Sequence, residues 1–130
     1  MTRLAVDTSA LLALTFAEES AHDVQEVLTH SDERHISAAT VVELGIVVAS
    51  RTAGKVTASE VLTAARLTVQ PLEEEDALVA IEAWQRFGKG RHPAGLNLGD
   101  CYSYALARRL RIPLLAVGQD FRRTDLIVLP

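Results

Sequence analysis

Apolar residues run along this chain in two rhythms: short unbroken runs closed by polar or turn-forming residues, and longer stretches in which they return every three or four positions. The first run, RLAV at 3–6, stops at Asp7, and TSALLALTF from Thr8 then carries alanine and leucine at helical spacing. Strand followed by helix is the natural reading. AHDVQEVLTH sets Val24, Val27 and Leu28 on one face, predicting an amphipathic helix that closes near Ser31, and RHIS at 34–37 predicts a second short strand. AATVVELGIVVASRTAG is long enough for a helix, mixes alanine and leucine among its valines, and reaches Gly54 as a C-terminal stop. TASEVLTAARL opens with Thr57 three residues before Glu60, the spacing of a capping box, and EEEDALVAIEAWQRFG gathers acids in its first turn. VQPL between these two, PLLAV at 113–117 and LIVL at 126–129 have the short apolar form of buried strands.

Strands alternating with helices predict an α/β sandwich with a mainly parallel central sheet, in which functional groups collect at the carboxyl ends of the strands. Asp7 follows one predicted strand and Asp120 another. No repeat or linker interrupts the 130 residues, so one domain spanning 1–130 is expected; the only flexible excursion is GKGRHPAGLNLG at 88–99. A 48% hydrophobic and 23% charged composition predicts a packed core rather than disorder. No window is long enough for a membrane span, and no basic leader with a cleavage site precedes the first run, which predicts a soluble, cytoplasmic protein. Cys101 is the single cysteine, so no intramolecular disulfide can form. A formal charge of −4 has the wrong sign for coating nucleic acid by charge alone, and any nucleic-acid contact must rest on a local basic feature.

Glu43 is the most informative acid. Its helical neighbours three and four positions away are Ala39, Thr40, Ile46 and Val47, a largely apolar face on which a lone carboxylate needs a proton, an ion pair or a bound cation. An arginine partner is the structural alternative. Asp7 could simply cap the helix that begins at Thr8, and Asp120 could be a turn residue above Phe121. Asp100 has the same ambiguity, although Asn97 offers an equally good cap and leaves Asp100 free for another task. Together these acids form a hard-oxygen set suited to magnesium or manganese. His22, His30, His35 and His92 show no close-spaced metal pattern, Cys101 has no evident base, and neither a P-loop nor a dinucleotide fingerprint occurs.

The ordered segments AVDTSALLAL, SAATVVELGIVV and HPAGLNLGDCYSYALARRLRIPLLAVGQDFRRTD resemble the PIN-domain ribonucleases, and among them the VapC-type toxins of toxin–antitoxin pairs. LNLGDCYSYALA and GQDFRRTD are the specific parts of a likeness that spans essentially the whole chain. The resemblance implies a PIN-like three-layer α/β/α sandwich and a magnesium-dependent endoribonuclease, with manganese as an alternative ion. It assigns the acidic site, catalytic and metal-binding, to Asp7, Glu43, Asp100 and Asp120, with Ser9 as a supporting hydroxyl. It further implies an RNA substrate, a VapB-type antitoxin whose tail covers the groove, and a homodimer. Lys89, Arg91 and His92 are the candidate contacts to the RNA backbone, with Arg108, Arg109 and Arg111 as a second set. Asp125 is an additional acid whose role, metal ligand or loop anchor, the sequence leaves open. Two other readings stand beside this one: a catalytically silent PIN-like module that binds RNA or protein, and a metal-dependent phosphatase on the same kind of sheet.

Overall fold

The computed structural model describes residues 2–130. Arg3–Val6 form β1, followed by α1 (Thr8–Thr15) and α2 (Ala21–Thr29); Glu33–Ser37 form β2, followed by α3 (Ala38–Thr52) and α4 (Ala58–Ala64). Thr68–Gln70 form β3, followed by α5 (Glu74–Phe87) and α6 (Leu98–Leu110); Leu114–Leu115 form β4, a short 3-10 turn covers Phe121–Arg123, and Val128–Leu129 form β5. All strand pairings are parallel, in the order β3-β2-β1-β4-β5, with Ala5 level with His35 on one side and with Leu114 on the other.

Two-residue periodicity divides the core. Leu4, Val6, Ile36 and Leu115 point to the face covered by α1, α2, α3 and α4, where Leu11, Val24, Leu28, Leu44 and Val48 are buried. Ala5 and Leu114 point to the opposite face, against Ala83, Phe87, Tyr104, Leu106 and Phe121 from α5, α6 and the final loop. The result is the expected three-layer α/β/α sandwich. The chain winds from β1 outward to β3 with its helices on one face, then crosses to β4 with α5 and α6 on the other. The winding therefore reverses between β1 and β4, and the topology of such a sheet puts its crevice at their carboxyl ends.

Several elements depart from the sequence expectation. β3 is an exposed edge strand, with Val69 44% accessible, because it has a neighbour on one side only; β5, at the other edge, is half-buried. The long helix α3 ends at Thr52 and is capped by Ala53, which itself adopts the left-handed conformation (φ 52°) ahead of Gly54, and the Gly54 N–H bonds the Ala49 carbonyl at 2.9 Å. The 88–99 segment, expected as a flexible excursion, is folded on itself over 88–96 and enters α6 at Leu98: Lys89 N–H bonds Leu96 O, Leu96 N–H bonds Phe87 O, and Ala94 and Leu96 are buried. Among the described residues no helix is long and apolar enough to cross a membrane.

Candidate metal centre

Asp7 leaves the central strand β1 with its backbone N–H on the Leu115 carbonyl (3.0 Å), which places it in the crevice where the winding reverses. Its carboxylate is 3% exposed and fully engaged. Oδ2 accepts the Ser9 N–H (3.0 Å) and the Ser9 hydroxyl (2.7 Å), and Oδ1 accepts the Ser103 hydroxyl (2.5 Å). Ser9 Oγ in turn accepts the Val117 N–H (2.9 Å), so one hydroxyl joins the start of α1 to the segment after β4. Thr40 Oγ1 stands 3.5 Å behind Ser103 in the buried interior. Asp7 is thus the helix cap that its sequence context allows and also the most deeply held acid of the crevice.

Glu43 reaches the same region from α3. It is half-buried rather than enclosed, since Val42 and Ile46 beside it are exposed, and Oε1 accepts the Thr8 hydroxyl at 2.5 Å. Among the described residues no arginine pairs with it, so the ion-pair alternative does not hold. Its carboxylate rests against Gly99 at the start of α6, where a β-carbon would fall 2.8 Å from Glu43 Cδ and closer still to Oε2.

Asp100 sits one residue further on and is not free in the way the sequence predicted. Asn97 caps α6 by accepting the Asp100 N–H (2.9 Å), while Asp100 Oδ2 accepts the Asn97 N–H (3.0 Å), a reciprocal capping box. The spacing supports both tasks because the cap occupies one carboxylate oxygen only. Burial, and then the charges of Asp7, Asp120 and Glu43, push Asp100 up to about 6 from 3.8, against the opposing hydrogen bond from Asn97. Asp120 contributes to that field from an exposed position at the head of the 3-10 turn, with Phe121 buried beneath it. Asp125 belongs elsewhere. It accepts the Tyr104 hydroxyl at 2.7 Å, with Arg86 at 3.5 Å and Arg108 at 3.6 Å. Burial works to raise its pKa, but the Tyr104 bond and the two guanidinium groups outweigh it and hold the carboxyl below its usual range.

The donor set suits a hard divalent cation: carboxylates converge on one field without a compensating basic side chain, and the bare α-carbon of Gly99 gives Glu43 room. Among the described residues no group of three or more His, Cys, Asp or Glu is arranged to hold a metal ion as it stands. Three of the four carboxylates are turned onto protein donors instead: Asp7 onto Ser9 and Ser103, Glu43 onto Thr8, Asp100 onto Asn97.

The basic candidates differ in character. Lys89 is exposed and lines a surface hollow with Asn97, Leu98 and Tyr102, which also border the hollow beside Glu43. Arg91 lies over the Trp84 ring at 4.5 Å. His92 is half-buried, accepts the Ala94 N–H on Nδ1 (3.0 Å) and packs edge-on against Phe87, so its ring shapes the loop. Arg108 and Arg109 stand at the far end of α6 from Asp100, engaged with Asp125 and with buried Asp76. Cys101 is buried and pushed up to about 11 by desolvation, which leaves it an inert thiol. Sequence reasoning missed Thr8, Thr40, Ser103 and Gly99. Ser103 lies three residues after Asp100 and Thr40 three before Glu43, so hydroxyls on the same helical stripe as the acids were the available signal.

The family described as PIN domain matches residues 4–127. Ribonuclease VapC28 of Mycobacterium tuberculosis is 43% identical over 122 residues, covering 92% of each chain. Among solved structures, VapC20 of Mycobacterium tuberculosis, described as a sarcin–ricin loop cleaving toxin, aligns with a TM-score of 0.75 at 19% identity over 98% of this chain and 99% of its own. A toxin–antitoxin complex from Klebsiella pneumoniae aligns with a TM-score of 0.72 at 19% identity, over 98% of this chain and 96% of its own. The chain belongs to the PIN-domain family and, within it, to the VapC group.

Proposed function

We propose that this protein is a magnesium-dependent endoribonuclease toxin held in check by a cognate antitoxin. The observation that carries the reading is the gathering of Asp7, Glu43 and Asp120 about Asp100 from separate elements, with no basic side chain from the described residues among them; burial first, and then their charges, push Asp100 up to about 6. Such a field stores repulsion that a divalent cation relieves. The VapC28 relative, a ribonuclease by name and 43% identical along nearly all of its length, supports RNA as the substrate class. The Klebsiella complex supports an antitoxin partner, and manganese is the alternative ion.

Asp7, Glu43 and Asp100 would hold the ion, with Asp120 at the rim. When bound, it supplies charge neutralisation at a phosphodiester and a more acidic water as nucleophile. The chain's own groups do the positioning. Ser9 and Ser103 fix both oxygens of Asp7, Thr8 fixes one oxygen of Glu43, and the capping box aims Asp100. Lys89 and Arg91 are the side chains offered to the RNA backbone, with His92 shaping the loop that presents them. Exposed Val42, Ile46 and Leu98, beside the acids, are the apolar surface offered to a second copy in a homodimer.

The test is cleavage of RNA with and without magnesium by wild type, Asp7→Asn and Asp100→Asn, each checked for folding by circular dichroism. Wild type is expected to give fragments with 5′-phosphate ends only with the ion present, and both variants to fold yet fail to cut. Normal cutting by a well-folded Asp7→Asn/Asp100→Asn protein would remove the proposed site. Binding of RNA without any cleavage by wild type would favour the silent binding module, and hydrolysis of small phosphomonoesters would favour the phosphatase.

A further inference from the structure

Gly99 occupies a position where the backbone has no need of glycine. It lies in the first turn of α6, and its φ is not among the positive ones, which belong to Gly54, Gly90, Gly95 and Gly118. Alanine is the better helix former at such a site. The helical Gly45 shows what close packing of a helix on its neighbour looks like: a β-carbon there would meet only the Ala58 side chain, at 3.3 Å. At Gly99 a β-carbon would instead meet the Glu43 carboxylate, 2.8 Å from Cδ, 3.0 Å from Oε1 and nearer still to Oε2. Of the seven glycines, this is the one whose missing side chain is replaced by an acid from another helix.

We propose that Gly99 is a positioning residue for Glu43: its bare α-carbon is the seat that lets a full-length glutamate from α3 hold its carboxylate against α6, bonded to Thr8 and beside Asp100. The inference rests on the acidic-site reading above and deepens it. A side chain at 99 pushes the carboxylate away from the Thr8 hydroxyl, which holds Oε1, or away from Asp100. The first turn of a helix also presents unpaired N–H groups and the positive end of the backbone dipole, so a carboxylate seated there is offset against the neighbouring acids. Gly99 thereby sets which acid fits at position 43. A longer reach serves when residue 99 has no side chain, and a shorter one when it has.

The test compares wild type, Gly99→Ala, Glu43→Asp and the double variant by thermal melting in EDTA, by calorimetric titration with Mn2+ and by RNA cleavage. Gly99→Ala is expected to melt no lower than wild type, because the atoms displaced are the far end of a flexible, half-buried side chain that can swing towards solvent, while its Mn2+ affinity falls about tenfold. Its cleavage rate is expected to fall by about a hundredfold, the scale of a misplaced catalytic group. Glu43→Asp, one methylene shorter, weakens Mn2+ binding in the native background but causes no further loss, or a recovery, when combined with Gly99→Ala. Wild-type Mn2+ affinity in Gly99→Ala overturns the proposal, as does a double variant whose losses simply add. If Gly99→Ala unfolds, the double variant decides: recovery of the fold by the shorter acid supports the seat, and failure to recover overturns it. Asp7→Asn separates this inference from its parent. If it binds Mn2+ as well as wild type does, the metal reading and the seat both fall; if it loses Mn2+ while Gly99→Ala does not, only the seat falls.

Discussion

Asp100 and Asn97 close on each other: each side chain accepts the other's backbone N–H, at 3.0 and 2.9 Å. Asp100 is therefore a capping residue and a member of the acidic field at once, and the two roles leave different marks on stability. Asparagine at position 100 keeps an oxygen for the Asn97 N–H and removes the charge.

The first prediction concerns pH in the metal-free protein. Asp100 titrates near 6 when folded and near 3.8 ordinarily, so between those values the folded state holds a proton that the unfolded state has shed. Stability is then whole below about 3.8 and falls as pH rises towards about 6, by an amount that solvent screening at this half-buried carboxyl reduces. Urea unfolding in EDTA from pH 4 to 7 is expected to show Asp100→Asn gaining on wild type across that window. Added magnesium should raise the melting temperature of wild type at pH 7 and raise that of the variant much less. Parallel pH profiles for the two proteins would show that burial and the neighbouring acids do not raise Asp100.

A second prediction follows from the support beneath Asp7. Ser103→Ala removes the donor to Oδ1 of a carboxylate that is 3% exposed, a loss of about 1–3 kcal/mol. Ser103→Thr keeps the hydroxyl and should retain most of that stability if its methyl group fits. Chemical denaturation of the three proteins checks the ordering. Cleavage is expected to follow the same order, because a loosened Asp7 no longer stands in a fixed direction. Equal stability of Ser103→Ala and wild type would sink this account.

The third prediction separates structural from functional basic residues. Asp76 is 3% exposed, receives the Arg109 guanidinium at 2.5 Å, and accepts the Glu73 N–H at the head of α5. Removing it leaves a guanidinium without its partner, so Asp76→Ala should cost about 3–5 kcal/mol. Combining it with Arg109→Met should recover part of that loss, since neither charge then remains. Melting temperatures give the comparison. Below its melting point the double variant is expected to cleave RNA normally, because this pair lies at the opposite end of α6 from Asp100.

Much of this was legible in the sequence because it depends on local periodicity. The rhythm of RLAV and TSALLALTF fixes β1 and α1, and the break at Asp7 marks the carboxyl end of the central strand. Capping was legible too, at Thr57 and at Asn97. Edge and centre were not: VQPL reads as a buried strand, yet the sheet order leaves Val69 at a rim. Contacts between distant segments were equally hidden. Nothing local to Gly99 announces the carboxylate of Glu43, nothing local to Ser103 announces Asp7, and the pairing of Arg109 with Asp76 depends on how α5 lies against α6. The acids themselves stood out, Asp7, Asp100 and Asp120 because each falls at an element boundary and Glu43 because it interrupts the apolar face of α3.

The last prediction concerns the antitoxin. The crevice gathers Asp7, Glu43, Asp100 and Asp120 with no basic side chain from the described residues among them, so an inhibitor that seals it without supplying positive charge would bury uncompensated carboxylates. An inhibitory segment is therefore expected to carry an arginine or lysine into the crevice beside apolar anchors, with arginine favoured for its two-pronged bond to a carboxylate. That side chain would stand in for the metal ion, so magnesium and the antitoxin should compete, and raising magnesium at constant ionic strength should weaken the complex. Replacing the inserted basic residue by glutamine should cost about 2 kcal/mol or more in binding, seen chiefly as faster dissociation. The same replacement should cost less when the toxin already carries Asp100→Asn, because the two changes remove opposite ends of one interaction. Surface plasmon resonance on the four combinations measures that coupling. If replacing every basic residue of the inhibitory segment left binding and inhibition intact, the crevice would have to be sealed without charge compensation, and this account of the partner would fail.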